Sequence, residues 1–180
     1  ILDMLNHVMD MLGHAPNVFK HLLNLLKQVF SHSPSTARLL TKKQQKLNQK
    51  IIIIDINDKY ADQSKLEKAI KLAEQSDVVI LAVGEDANKT GESASRTNIE
   101  LYPAQQKLVK AIHKTGTPVV LVVMNGRPLA IEWSAENIPS ILNAWLLGSE
   151  AGNAIADVIF GDYNPSAKLT MTVPRNTGQI

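Results

Sequence analysis

Cysteine is absent from all 180 residues, which rules out a disulfide framework and any thiolate metal site. That absence leaves the redox compartment open. No apolar run approaches the roughly 18–20 residues that cross a bilayer, so no membrane partner is expected. The first residues lack the basic and apolar regions of a secretory leader. The chain opens on Ile1, and it is therefore expected to be a piece of something longer. Neither GxGxxG nor GxxxxGK[ST] follows a strand pattern, which argues against a dinucleotide or P-loop nucleotide site. GxSxG is missing as well, and with it the usual α/β-hydrolase nucleophile elbow. Histidine is sparse: His113 stands alone in the second part of the chain. His7, His14 and His21 recur every seven residues, but Gly13 and Pro16 interrupt any single helix that would align them. They are read as surface or partly buried histidines, with no metal and no cofactor implied.

What is present is ordinary for a globular protein, with 44% apolar and 20% charged residues. The length suits one domain, or one domain with an appendage. The net charge of +2 hides an asymmetry. Residues 1–50 carry seven Lys/Arg against two Asp, and the remainder carries twelve Lys/Arg against fifteen Asp/Glu. Five basic residues and no acidic one fall within 31–50. That run is Gln-rich, lacks aromatics and matches no nucleic-acid motif, so it is read as a solvated linker or helix face, not a nucleic-acid arm. Leu2, Leu5, Met9 and Leu12, then Leu22, Leu26, Val29 and Phe30, recur at helical spacing. Residues 1–50 thus form a helical segment and basic linker with no assigned role.

From Lys50 the pattern changes. Apolar, β-branched runs at 51–56, 78–83, 119–124 and 141–146 alternate with helical patterns at 64–75, 103–114 and 150–160. Pro103 suits a first helical position, Gly116 and Gly161 suit helix stops, and 168–173 alternates like a last edge strand. Strands alternating with helices predict an α/β three-layer sandwich with a mostly parallel sheet covered on both faces. A domain covering 51–180 is expected, preceded by the short helical segment.

The richest stretch is 76–98. Its strand breaks at Gly84 into a polar loop that carries Glu85, Asp86, Glu92 and Arg96. Open α/β sheets bind ligands in the crevice beyond the carboxyl ends of their strands, and long polar loops on rigid scaffolds carry function. Glu85 directly follows the strand and is open to two roles, an acid–base group or a carboxylate that pins the loop. Glu92 lies further out among small residues that allow close approach of a ligand. Arg96 can pair with either. Residue spacing alone does not rank the two glutamates.

The segments AVGEDANKTGESASRTNIEL, PVVLVVMNGRPLAI and ILNAWLLGSEAGNAIADVIFGDYNPSAKLTMTVPR resemble, in order, the second, α/β-sandwich domain of family 3 glycoside hydrolases, the β-glucosidases and their relatives. The resemblance covers about residues 64–180; in 1–50 none is recognised. It implies a retaining exo-β-glycosidase whose nucleophile is an aspartate on a preceding (β/α)8 barrel domain. It implies that the sandwich contributes the general acid/base on a loop over the barrel, at the position of Glu92. Glu85 and Arg96 then support the loop. Segments 125–128 and 161–165 match family turns, and Trp145 and Glu150 match framework near the loop ends. Ala167 and Thr170 depart from the family pattern, where glycine and proline are usual.

The resemblance further implies a β-linked glucoside or oligosaccharide substrate, the barrel domain as partner, and a periplasmic or secreted setting over a cytoplasmic one. Retaining hydrolysis needs two carboxyl groups about 5–5.5 Å apart, and these 180 residues hold no barrel. The chain alone is expected to be inactive. The alternative is a non-catalytic module that binds carbohydrate or a protein partner.

Overall fold

The computed structural model describes residues 51–55, 63–85 and 89–179. The helical pattern expected within 1–50 and the carboxylate Asp86 lie outside the described residues.

Among the described residues four strands, β1 (Ile51–Asp55), β2 (Val78–Gly84), β3 (Val119–Met124) and β4 (Ser140–Asn143), form one sheet in the order β1-β2-β3-β4. Every ladder among them is parallel. The register aligns Ile53 with Ile80, Leu81 with Leu121, and Leu121 with Ile141. All seven residues of β2 are buried. That is why its sequence is a continuous apolar run and not an alternating one.

The two faces of the sheet are covered by different helices. Val79, Leu81, Val83, Leu121 and Val123 pack with Leu66, Ala69 and Ala73 of α1 (Gln63–Glu74) and with Leu108, Val109 and Ile112 of α2 (Pro103–His113). Ile80 and Val122 point the other way, against Ile155 and Ala156 of α4 (Ala151–Ile159). The period-two alternation of side chains along each strand generates these two cores. The result is the three-layer α/β sandwich expected from the sequence. The small residues Ala151, Gly152 and Ala156 are buried on α4 and let it approach the sheet closely.

Pro103 opens α2 as expected, with its lost N–H falling where no intrahelical partner exists. Between β3 and β4 the chain forms α3 (Glu132–Asn137), six residues whose sequence shows no apolar periodicity. Ile131, Trp133 and Ile138 around it pack onto the first core.

Two expectations need correction. The fourth strand was expected at 141–146, but β4 ends at Asn143. Ala144 is buried, and Trp145 takes a φ of 49°, which breaks the extended path. Segment 168–173 makes no strand. Its Leu169 and Met171 are 62% and 50% exposed, and no described strand pairs with it. Alternation marks a segment able to pair, and a ladder forms only where a neighbour offers a free edge.

β2, β3 and β4 finish side by side, since Gly84 aligns with Met124 and Val123 with Asn143. The loops that follow them meet at this carboxyl edge.

Candidate functional site

Gly84 ends β2 with a φ of 134°, a conformation open to glycine and costly for other residues. A Cβ there would lie 1.8 Å from the Met124 carbonyl oxygen, so no side chain fits. The Gln105 side chain from α2 closes both backbone groups of Gly84: Nε2 donates to its carbonyl at 3.0 Å, and its N–H donates to Oε1 at 3.3 Å. The Glu85 N–H then donates to Met124 O at 2.8 Å. Glu85 is thereby fixed at the sheet edge before its side chain makes any contact.

The Glu85 carboxylate has no solvent exposure. Arg96 Nη1 donates to Oε1 at 2.7 Å. Arg127 Nε lies between the two oxygens, 3.1 Å from Oε1 and 3.3 Å from Oε2. The Gly126 N–H donates to Oε2 at 3.3 Å. A buried carboxylate survives only with such partners, and here two guanidinium groups and a backbone amide supply them. Both oxygens are engaged and the side chain is closed to solvent.

Arg96 also donates from Nη2 to Glu100 O at 2.9 Å and stacks its guanidinium 4.7 Å over the Tyr102 ring. The return of the loop to the core is therefore held at a second point. Ile99 and Leu101 are buried there, and the Ala130 N–H donates to Ile99 O at 2.9 Å. The C-terminal residues reach the same place: Thr177 Oγ1 accepts from the Ile99 N–H at 3.4 Å and lies 3.3 Å from Asn98 Oδ1.

Glu92 is exposed. The Ala94 N–H donates to Gly91 O at 3.3 Å, which closes a four-residue turn with Glu92 and Ser93 at its corners. Ser93 has a φ of 61°, the value demanded at the third position of a turn that usually recruits glycine or asparagine there. The turn presents the Glu92 carboxylate outward, and among the described residues nothing bonds to it. One glutamate is thus locked inside the loop and the other displayed at its tip. Clefts lined by described residues lie near this edge. One of about 370 Å³ is lined by Arg96, Asn98 and Tyr102 among others, and one of about 170 Å³ by Glu100, Lys110 and Trp133 among others. Neither includes Glu92.

The structure joins Glu85 to Arg96 and sets Glu92 apart from both. It adds Arg127, which the family resemblance gives only as part of a turn. The Asn125 side chain donates to Arg127 O at 2.6 Å and holds that turn. Gly126 lies so close to the loop that a Cβ on it would sit 2.7 Å from the Thr90 side chain. The signal available in sequence was a charged residue just beyond a neighbouring strand end, since parallel strands bring such positions together. Trp145 and Glu150 lie in the segment after β4, with Glu150 accepting from the Asn153 side chain. Among the described residues no group of three or more His, Asp or Glu side chains could hold a metal ion.

Residues 9–180 match the family model described as the glycosyl hydrolase family 3 C-terminal domain. A β-xylosidase of Formosa agariphila is 54% identical over 113 residues, covering 63% of this chain and 16% of the relative. A periplasmic β-glucosidase of Salmonella typhimurium is 48% identical over 123 residues, 68% of this chain and 16% of the relative. Among solved structures, a β-glucosidase from Listeria innocua in complex with isofagomine superposes with a TM-score of 0.65 at 39% identity. That match covers 67% of this chain and 17% of the other. The chain thus spans about one-sixth of the length of the relatives it matches.

Proposed function

The chain belongs to glycosyl hydrolase family 3 through its C-terminal domain, and from that premise we propose that it supplies the general acid/base of a retaining exo-β-glycosidase. The proposed acid/base is Glu92. The other half of the active site, including the aspartate nucleophile, belongs to a (β/α)8 barrel domain that these 180 residues do not contain. The substrate is a β-linked glucoside, xyloside or short oligosaccharide, a class supported by relatives named β-glucosidase and β-xylosidase. A periplasmic or secreted setting is supported by the periplasmic relative.

The observation that carries this reading is the contrast between the two glutamates. A proton donor must reach the glycosidic oxygen. The carboxylate of Glu85 is enclosed by Arg96, Arg127 and Gly126, whereas Glu92 is exposed at the tip of its turn and bonds to none of the described residues. An exposed tip suits a group that completes its surroundings against a second domain. There, partial burial or a neighbouring carboxylate would keep the acid protonated near neutral pH. In the first half of the reaction Glu92 gives its proton to the leaving oxygen while the barrel aspartate attacks the anomeric carbon. In the second half it takes a proton from the water that releases the sugar.

Co-expression with a family 3 barrel domain tests the proposal. Hydrolysis of alkyl β-glucosides, whose leaving oxygen needs a proton, is expected from the pair, absent from either part alone, and lost in Glu92→Gln. Hydrolysis that survives Glu92→Gln at its full rate overturns the assignment. Failure of hydrolysis combined with tight oligosaccharide binding to the chain would favour a non-catalytic carbohydrate-binding module.

A further inference from the structure

We propose that Arg127 is a positioning residue that holds the Glu92 turn by both its feet. The inference rests on the acid/base reading of Glu92 for its kinetic consequence, but its geometry stands without it. Arg127 Nη2 donates to Lys89 O at 2.6 Å and to Ala94 O at 2.8 Å. Those carbonyls belong to the residues that enter and leave the turn carrying Glu92. One nitrogen spends its two hydrogens on the two sides of the same turn.

The clamp is itself fixed. Arg127 Nε is paired with the buried Glu85 carboxylate, and Asn125 holds the Arg127 carbonyl from the end of β3. Arg96 binds Glu85 from the loop side. A chain of contacts therefore runs from the rigid sheet edge through Glu85 and Arg127 to the backbone on either side of Glu92. Without Arg127 the turn loses its two ties to the sheet, and its own Ala94 to Gly91 bond opens more often. An acid carried on an untied turn samples many positions, and proton transfer in the transition state demands a narrow one.

Lysine separates this role from a general structural one. Arg127→Lys keeps a positive charge near Glu85, yet an ammonium lacks the planar fork that serves the carboxylate and both carbonyls together. Arg127→Met is the stronger variant, and Arg127→Lys keeps the test valid should methionine unfold the domain.

Two readouts decide. Hydrogen–deuterium exchange on the full 180-residue chain is expected to show the Ala94 amide exchanging about tenfold faster in Arg127→Lys, the loss of roughly one charge-assisted bond. The strand amides of residues 79–83 and 119–123 are expected to remain as protected as before. In the chain assembled with a barrel domain, kcat/KM for a glucoside with a poor alkoxide leaving group is expected to fall about tenfold. For a dinitrophenyl glucoside, whose departure needs no proton, the first step is expected to change less than about twofold, because general-acid assistance contributes only where the leaving group needs it.

Unchanged exchange at Ala94 overturns the clamp, and so does equal loosening of the strands, which would make Arg127 a plain stability residue. Equal losses on both substrates overturn its catalytic consequence. Loosening at Ala94 together with a Glu92→Gln variant that shows no leaving-group dependence upholds the clamp and overturns the acid/base reading instead.

Discussion

Removing the Glu85 carboxylate is expected to damage the domain far more than a loop substitution ordinarily does. In Glu85→Ala three donors lose their acceptor at once: Arg96 Nη1, Arg127 Nε and the Gly126 N–H. Deleting one member of a buried ion pair costs about 3–5 kcal/mol, because the remaining charge stays desolvated. The Arg96 and Arg127 side chains retain 15% and 22% exposure, so each can turn partly to water. That relief places the expected cost near the lower end, about 3 kcal/mol. Domains of this size shift by about 2–4 °C per kcal/mol, which predicts a melting point lower by about 6–12 °C. Glu85→Gln should lose a similar amount, since its amide keeps one acceptor and sets an NH2 group against donors. Urea unfolding of wild type and both variants measures this directly. A loss under about 1 kcal/mol, the range of exposed ion pairs, would refute the claim that this network is buried and anchors the loop.

Further variants test the elements around that anchor. Gly84→Ala is expected to cost about 4 kcal/mol or more, read as failure to accumulate soluble chain, because its Cβ would lie 1.8 Å from Met124 O. Gln105→Met keeps the side-chain volume but strips Gly84 of its buried partners, and urea titration should show a loss of about 1–3 kcal/mol. At Ser93, with its φ of 61°, Ser93→Val should be less stable than Ser93→Gly by at least about 1 kcal/mol; equal stabilities would mean that the turn does not hold this conformation.

Strands β2 and β3 were legible because continuous β-branched runs bounded by Gly84, Gly116 and the Asn125–Gly126 pair admit few other structures. Helix α2 was legible from Pro103 and the spacing of Leu108, Val109 and Ile112. α3 was not, because six residues give too little periodicity to see, and its position depends on Trp133 packing against a core built from distant segments. The same reason explains the overlong fourth strand. The apolar residues of 141–146 look alike in sequence, but the turn at Trp145 is set by the tertiary fold. In the site, residue types pointed to Glu85, Glu92 and Arg96, but spacing could not say which glutamate was buried. The answer depended on Arg127, 42 residues away from Glu85 along the chain and 3.1 Å away in space.

The Glu92 assignment is the centre of the account, and leaving-group dependence tests it most directly. The chain and its Glu92→Gln variant, each assembled with a family 3 barrel domain, would be compared on a series of aryl and alkyl β-glucosides. Under the account, the variant loses about 10²–10⁴-fold in the glycosylation step on poor leaving groups, the usual worth of general acid catalysis. It should lose little on a dinitrophenyl leaving group, which departs without a proton. Equal rates for wild type and variant across the whole series would contradict it.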